Sequence, residues 1–146
     1  SGRCVFLDVL QSKATQEGTS KSLINDAEIG ALESVVRKLR RRGFDHKDVK
    51  VIAFYEAQRK LAKATLPEGF EIFTVDSAQG REKEIVIVLT TTNSPGSFFT
   101  DEKRVNVALS RHKEALIVLG SSKALMNAEP WQSVLHNYFF HLTYKK

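Results

Sequence analysis

Five hydrogen-bonding side chains occur within seven positions of the segment Thr74–Glu82 (TVDSAQGRE), directly after an apolar run. They are Asp76, Ser77, Gln79, Arg81 and Glu82. Gly80 lies among them and permits a tight backbone turn. Such a concentration of polar groups at the carboxyl end of a strand suits the binding of ribose, phosphate or a nucleic-acid backbone. Spacing alone favours a simpler alternative, an ordinary polar turn.

A second segment, Asp101–Lys113 (DEKRVNVALSRHK), has the spacing of a helix over Asp101–Arg111 with His112 on its apolar face. Arg104 and Arg111 are seven residues apart, so a helix would align them about 10 Å apart along one side. An arginine at the end of a helix can complement the helix dipole. It can also act as an arginine finger, because its permanently charged fork neutralises charge on a transferring γ-phosphate. Spacing alone does not distinguish a partner of the helix dipole from an arginine finger.

A third polar segment, Tyr55–Arg59 (YEAQR), follows another apolar run. Its spacing favours the start of a surface helix.

The elements that position these segments alternate along the chain. Apolar runs predict strands at Cys4–Val9, Val49–Tyr55, Glu71–Val75, Glu84–Thr91 and Ala115–Gly120. Helical patterns follow a cap at Asn25 and end at Gly43, then cover Glu56–Thr65, Asp101–Arg111, Ser122–Asn127 and Trp131–Leu142. Loops are expected at Gln11–Ser22 and Asn93–Thr100. This order predicts an α/β fold in which helices flank a mainly parallel sheet in three layers.

Parallel sheets of this kind bind ligands beyond the carboxyl ends of their strands. The rule directs attention to the loops that follow Tyr55, Val75 and Gly120.

Composition sets broad limits on function. The chain has 146 residues, 42% of them hydrophobic, which suits one domain with a sizeable core. A net charge of +5 suits a polyanionic partner, although a merely soluble basic domain is equally compatible with it. The single cysteine cannot form an internal disulfide, and we expect a reducing compartment, cytoplasmic or nuclear. No apolar stretch is long enough to span a membrane, so no membrane partner is expected.

Several catalytic signatures are missing from the sequence. None of the eight glycines precedes a lysine, so there is no phosphate-binding loop of the form G-x-x-x-x-G-K-[ST]. No apolar strand ends in the Asp-Glu pair that would hold magnesium. The four histidines lack cysteines at zinc-binding spacing, so no metal site is predicted.

Together the three polar segments resemble known helicase motifs. V-D-S-A-Q-G-R-E-K-E followed by an Ile/Val strand is similar to the fifth motif of superfamily 1 helicases, and R-V-N-V-A-L-S-R-H-K is similar to the sixth. I-A-F-Y-E-A-Q-R resembles the fourth. The ordered set, from about Val49 to Tyr138, resembles the second, C-terminal RecA-like domain of the up-frameshift (nonsense-mediated decay) and senataxin-like group. Residues 3–146 would form that domain, and Ser1 and Gly2 are typical of residues left by cloning.

The resemblance implies roles for individual residues. Arg111 would be the arginine finger that reaches the γ-phosphate of ATP, while Gly80 and Glu82 would approach the nucleotide. Gln79 and Arg104 would couple that site to the helix. The nucleic-acid backbone would lie near the four residues Thr74, Val75, Asp76 and Ser77. Gln58 and Arg59 would support the fourth motif.

The same resemblance implies partners: single-stranded RNA or DNA, a first RecA-like domain of the same protein, and protein cofactors. ATP with Mg²⁺ would be held mainly by that first domain, so the isolated chain is not expected to hydrolyse ATP. The sixth motif commonly reads A-L-T-R-A-K/R, whereas Ser110 and His112 stand here for threonine and a small residue. An alternative is a catalytically inactive helicase-like domain that serves as a platform for binding protein or RNA.

Overall fold

The computed structural model describes residues 2–78, 80 and 82–146. Its strands are β1 (Arg3–Val9), β2 (Thr15–Gln16), β3 (Leu23–Ile24), β4 (Val49–Ala53), β5 (Glu71–Thr74), β6 (Lys83–Leu89), β7 (His112–Gly120) and β8 (Phe140–Tyr144). Its helices are α1 (Asp26–Arg41), α2 (Glu56–Thr65), α3 (Ser97–Thr100), α4 (Glu102–Leu109), α5 (Ser122–Leu125) and α6 (Trp131–Tyr138).

Six of these strands form one sheet in the order β5-β4-β6-β7-β1-β8, and every neighbouring pair is parallel. The central strands β4 and β6 are rich in valine and isoleucine and are largely buried, as strands covered on both faces must be. The predicted α/β fold with a parallel sheet flanked by helices is therefore confirmed.

Helices cover both faces of the sheet and divide the core into two clusters. One cluster lies under α1 and α2 and includes Leu32 and Ala62. The other lies under α3 to α6 and includes Phe99 and Trp131, whose rings stack at 4.8 Å between centroids. The indole Nε1 of Trp131 donates a hydrogen bond to the backbone oxygen of Phe99. This second cluster lies beneath the segments that carry the sixth motif.

The predicted cap of α1 is confirmed. Asn25 is extended, and its side-chain oxygen accepts a hydrogen bond from the backbone nitrogen of Glu28 at 3.1 Å. That bond satisfies one of the free amide groups in the first turn.

Two predicted loops contain short elements. The expected Gln11–Ser22 loop includes β2, which pairs antiparallel with β3. The expected Asn93–Thr100 loop ends in α3.

The predicted helix over Trp131–Leu142 is wrong in its last four residues. The helix stops at Tyr138, Phe139 is extended, and β8 follows. Backbone groups at the edge of β1 pair with β8, from Val5 opposite Phe140 to Val9 opposite Tyr144. Those long-range hydrogen bonds outweigh a helical spacing of apolar residues. Across the described ranges, no helix is long and apolar enough to cross a bilayer.

We expect Trp131→Ala to lower the free energy of unfolding by about 3–5 kcal/mol, because it empties a fully buried site and removes the stack on Phe99. Urea denaturation followed by circular dichroism measures this loss. Tyr138→Ala, on the same helix but 73% exposed, should change stability by less than about 0.5 kcal/mol. Equal losses in the two variants would contradict the assignment of Trp131 to the core.

Candidate functional site

A hydrogen-bonded turn follows β5 at its carboxyl end and contains the four residues predicted to meet a nucleic-acid backbone. The Ser77 nitrogen donates to the Thr74 oxygen at 3.1 Å, and the two side-chain hydroxyls are 2.8 Å apart. Asp76 is exposed, whereas the Val75 side chain is buried in the core. The turn therefore presents a carboxylate and hydroxyl groups to solvent on a fixed backbone.

An ion pair ties this turn to α4. The Arg104 guanidinium donates from Nε to Asp76 at 2.8 Å and from Nη2 at 3.4 Å. Asp101 caps α4 by accepting a hydrogen bond from the Arg104 nitrogen, which fixes the start of the helix. The hydrogen bond to Asp76 raises the pKa of Arg104. Arg104 thus couples the fifth and sixth motifs directly.

Two of the predicted nucleotide-facing residues, Glu82 and Arg111, lie at the other edge of the sheet, just before β6 and β7 begin. Because β5 and β6 are parallel, the connection between them must return to the amino ends of the strands, and Glu82 is exposed just before β6 begins. Gly80 has a φ of 93°, which favours glycine, and is exposed. Gln79 lies outside the described residues. The expectation that this whole segment lines the carboxyl edge is therefore wrong.

Arg111 is not on a helix, contrary to the prediction. Helix α4 ends at Leu109, and Arg111 lies in the bend before β7. His112, predicted on the apolar face of that helix, instead begins β7. These two residues leave the helix because β7 pairs with β6 from its first residue, His112, which lies opposite Lys83.

The Arg111 guanidinium keeps unused hydrogen-bonding capacity. Its Nη1 donates to the Ser110 hydroxyl at 2.9 Å, and its Nε is buried without a hydrogen-bond partner among the described residues. Arg111, Arg104 and Asp76 all line one shallow cavity of about 390 Å³ along α4. A buried donor without a partner is costly, so an anionic acceptor would stabilise this side chain.

The amino edge brings Glu82 and Arg111 into one neighbourhood. The Lys83 nitrogen donates to the Arg111 oxygen at 3.1 Å, which joins the residue after Glu82 to the bend. Burial lowers the pKa of His112, while the charge of nearby Glu82 opposes that shift. An adjacent cleft of about 630 Å³ is lined by charged groups of both signs, including Lys50 and Glu82. Burial lowers the pKa of Lys50, and the charges of Lys83 and Arg111 lower it further.

Comparison with known proteins shows the family to which the chain belongs. A family described as an AAA domain matches residues 1–123. The chain is 32% identical to Regulator of nonsense transcripts 1 of Caenorhabditis elegans, over 80% of the chain and 12% of that protein. It is 31% identical to the DNA replication ATP-dependent helicase/nuclease JHS1 of Arabidopsis thaliana, over 83% of the chain and 10% of that protein.

This chain belongs to the up-frameshift and senataxin-like group of superfamily 1 helicases. It spans about an eighth of the length of the first curated relatives that it matches.

The buried Nε of Arg111, which has no hydrogen-bond partner among the described residues, is a donor of the kind that a phosphate oxygen would satisfy. Within the described part of the chain, no group of three or more His, Cys, Asp or Glu side chains could hold a metal ion.

Sequence reasoning missed a buried polar network near the carboxyl ends of β4 and β6. The carboxylate of Glu28 is fully buried and accepts three hydrogen bonds, from the Thr91 nitrogen at 2.8 Å, the Thr91 hydroxyl at 2.7 Å and Gln58 Nε2 at 2.8 Å. Gln58 also bonds to the backbone of Asn25 through both its oxygen and its nitrogen. Gln58 therefore supports the fold from inside, and the Asn25 cap places Glu28 in the first turn of α1 without showing that it is buried.

Burial raises the pKa of Glu28 from 4.5 to about 7, although its hydrogen bonds act in the opposite direction. The folded state therefore holds a proton that the unfolded state releases between these two pH values. We expect the stability contribution of this group to be complete below pH 4.5 and to be lost as pH rises to about 7, by up to about 3 kcal/mol.

Denaturant unfolding from pH 4 to 8 measures this loss, and Glu28→Gln should remove it. Glu33→Gln, on the same helix and partly exposed, should keep the wild-type profile. A Glu28→Gln profile with the wild-type slope between about pH 4.5 and 7 would show that another group is responsible.

Proposed function

We propose that the chain is the C-terminal RecA-like motor domain of an ATP-dependent helicase. It supplies the arginine finger, Arg111, and part of the surface for a single strand of nucleic acid. The observation that carries this proposal is the arrangement around α4. The Thr74–Ser77 turn and Arg104 lie at the start of the helix, while Arg111 and Glu82 lie beyond its end.

In this proposal the phosphates of ATP and its Mg²⁺ are held by a first RecA-like domain, and this chain completes the site. Arg111 neutralises the charge that develops on the transferring γ-phosphate, because its buried, partnerless Nε needs an acceptor. Glu82 and Gly80 approach the ribose or the terminal phosphate. Gln79 and Arg104 couple the nucleotide site to helix α4 and to the Thr74–Ser77 turn.

The turn at the carboxyl edge contacts the backbone of the strand. The hydroxyls of Thr74 and Ser77 suit phosphate oxygens, whereas the Val75 nitrogen already donates to the Ala53 oxygen. Asp76 would contact sugar hydroxyls while it holds Arg104 in place. Closure on ATP and reopening after hydrolysis would then move the protein along the strand.

Arg111→Ala in the intact protein should lower ATP turnover by about a thousandfold or more, because a transition-state charge loses its partner. Steady-state ATPase assays with saturating single strand measure this change, and the Michaelis constant for ATP should change much less. Arg111→Lys should remain strongly impaired, since an ammonium lacks the planar fork. Arg41→Ala, an exposed arginine at the end of α1, is the control and should turn over normally. Near-normal turnover in Arg111→Ala would refute the finger assignment.

The isolated chain should bind single strands weakly, with an affinity that falls as salt rises, because phosphate contacts release counterions. It should show no micromolar affinity for ATP, since it offers only one side of the site. Fluorescence anisotropy with labelled oligonucleotides, and calorimetry with ATP, provide the two measurements. Tight ATP binding by the chain alone would contradict the proposal that this chain offers only one side of the ATP site. Salt-independent binding of the strand would contradict the phosphate contacts.

Comparing ATPase stimulation of the intact protein by RNA and DNA of one sequence, at fixed salt, separates the two substrate classes. The rival proposal, an inactive binding platform, predicts that neither strand stimulates any ATPase activity.

A further inference from the structure

Two consecutive phenylalanines in α3 have opposite environments. Phe99 is fully buried and packs against Trp131 and Phe54. Phe98 is 37% exposed at the carboxyl edge of the sheet. Core packing accounts for Phe99, and it leaves the partly exposed ring of Phe98 without an explanation.

The exposed ring is fixed from two sides. The Arg104 guanidinium lies over it, with Cζ 4.2 Å from the ring centroid, and Asp76 holds that guanidinium by two hydrogen bonds. The Tyr55 ring lies on another side, with the two ring centroids 5.6 Å apart and the planes tilted by 45°. Just over a third of the Phe98 side chain thus remains exposed to solvent, in an orientation set by these two neighbours.

We propose that the aromatic platform formed by Tyr55, Phe98 and Arg104 stacks a base of the single strand whose backbone crosses the Thr74–Ser77 turn. This inference rests on the proposed function and deepens it by assigning a base-binding subsite.

The chemistry of the platform selects this occupant. Every nucleobase has a π-face that stacks on an exposed aromatic ring, whatever the sequence. Arginine over the ring adds a cation–π contact and places positive charge beside the strand. Asp76 connects the platform to the turn proposed for the backbone, so base and phosphate would be bound by adjacent groups. Arg111 lines the same shallow cavity as Arg104 and Asp76, so the adenine of ATP is the competing occupant, which the Michaelis constant for ATP distinguishes.

The test measures the affinity of the intact protein for a short oligouridylate, and for an abasic strand of the same length, by fluorescence anisotropy. Phe98→Ala and Phe98→Leu should each weaken binding of the oligouridylate about tenfold, because both remove the aromatic face. Phe98→Trp should bind within about twofold of wild type, because it keeps a ring for stacking. The abasic strand should bind all four proteins equally. Thermal unfolding of each variant confirms that the domain remains folded.

Phe44→Ala is the matched control, because Phe44 is 38% exposed and lies beyond the end of α1, away from the proposed surface. It should bind both strands as wild type does.

Three results would overturn the inference while leaving the proposed function intact. In the first, Phe98→Leu binds the oligouridylate as tightly as wild type does. In the second, the Phe98 substitutions weaken binding of the abasic strand as much as binding of the oligouridylate. In the third, Phe98→Ala raises the Michaelis constant for ATP without weakening binding of the strand. Failure of the wild-type protein to bind any single strand would instead refute the proposed function, and the base subsite with it.

Discussion

The buried carboxyl group of Glu28 joins three parts of the fold: α1, α2 and the segment that follows β6. It lies in the first turn of α1, receives Gln58 from the first turn of α2, and binds both the backbone and the hydroxyl of Thr91 just after β6. Burying a carboxylate is expensive unless hydrogen bonds surround it, and here three donors do so. Thr91 has a φ of 69°, which a threonine rarely adopts, and these bonds hold it there.

This buried network also supports the surface above it. Asn25 binds the Thr91 oxygen and the Ser12 hydroxyl, so the loop after β1 is attached to the same point. Gln58 also fixes the first turn of α2, and the Tyr55 ring just before that turn lies against Phe98. The buried polar groups are therefore connected through α2 to the aromatic surface at the carboxyl edge.

The sequence allows most of the fold to be predicted, because its strands are apolar runs and its helices have capping residues and a helical period. The failures share a cause. Trp131–Leu142 has helical spacing throughout, but pairing with the edge of β1 makes its end a strand. Arg111 and His112 fit the helix before them, yet β6 pairs with β7, which begins at His112. In both segments a long-range backbone pairing overrides a local pattern.

The candidate site was predictable in its residues and less so in its geometry. Motif order identified the turn after β5, Arg104 and Arg111, but it placed the fifth-motif residues at a single edge. An acidic residue in a first helical turn is ordinarily a solvent-exposed partner of the helix dipole. Nothing local distinguishes Glu28 from such a residue, because its burial depends on α2 and β6 packing over it.

Helix α4 is held at both of its ends. Arg104, in its first turn, is bonded to Asp76, and the Arg111 oxygen, two residues beyond its last turn, accepts a hydrogen bond from the Lys83 nitrogen. A shift of about 2 Å at either end would exceed the spread of distances over which a hydrogen bond forms. The helix therefore sets a fixed spacing between the two arginines, and the Arg111 guanidinium changes position only through its own side-chain torsions or with the sheet as a whole.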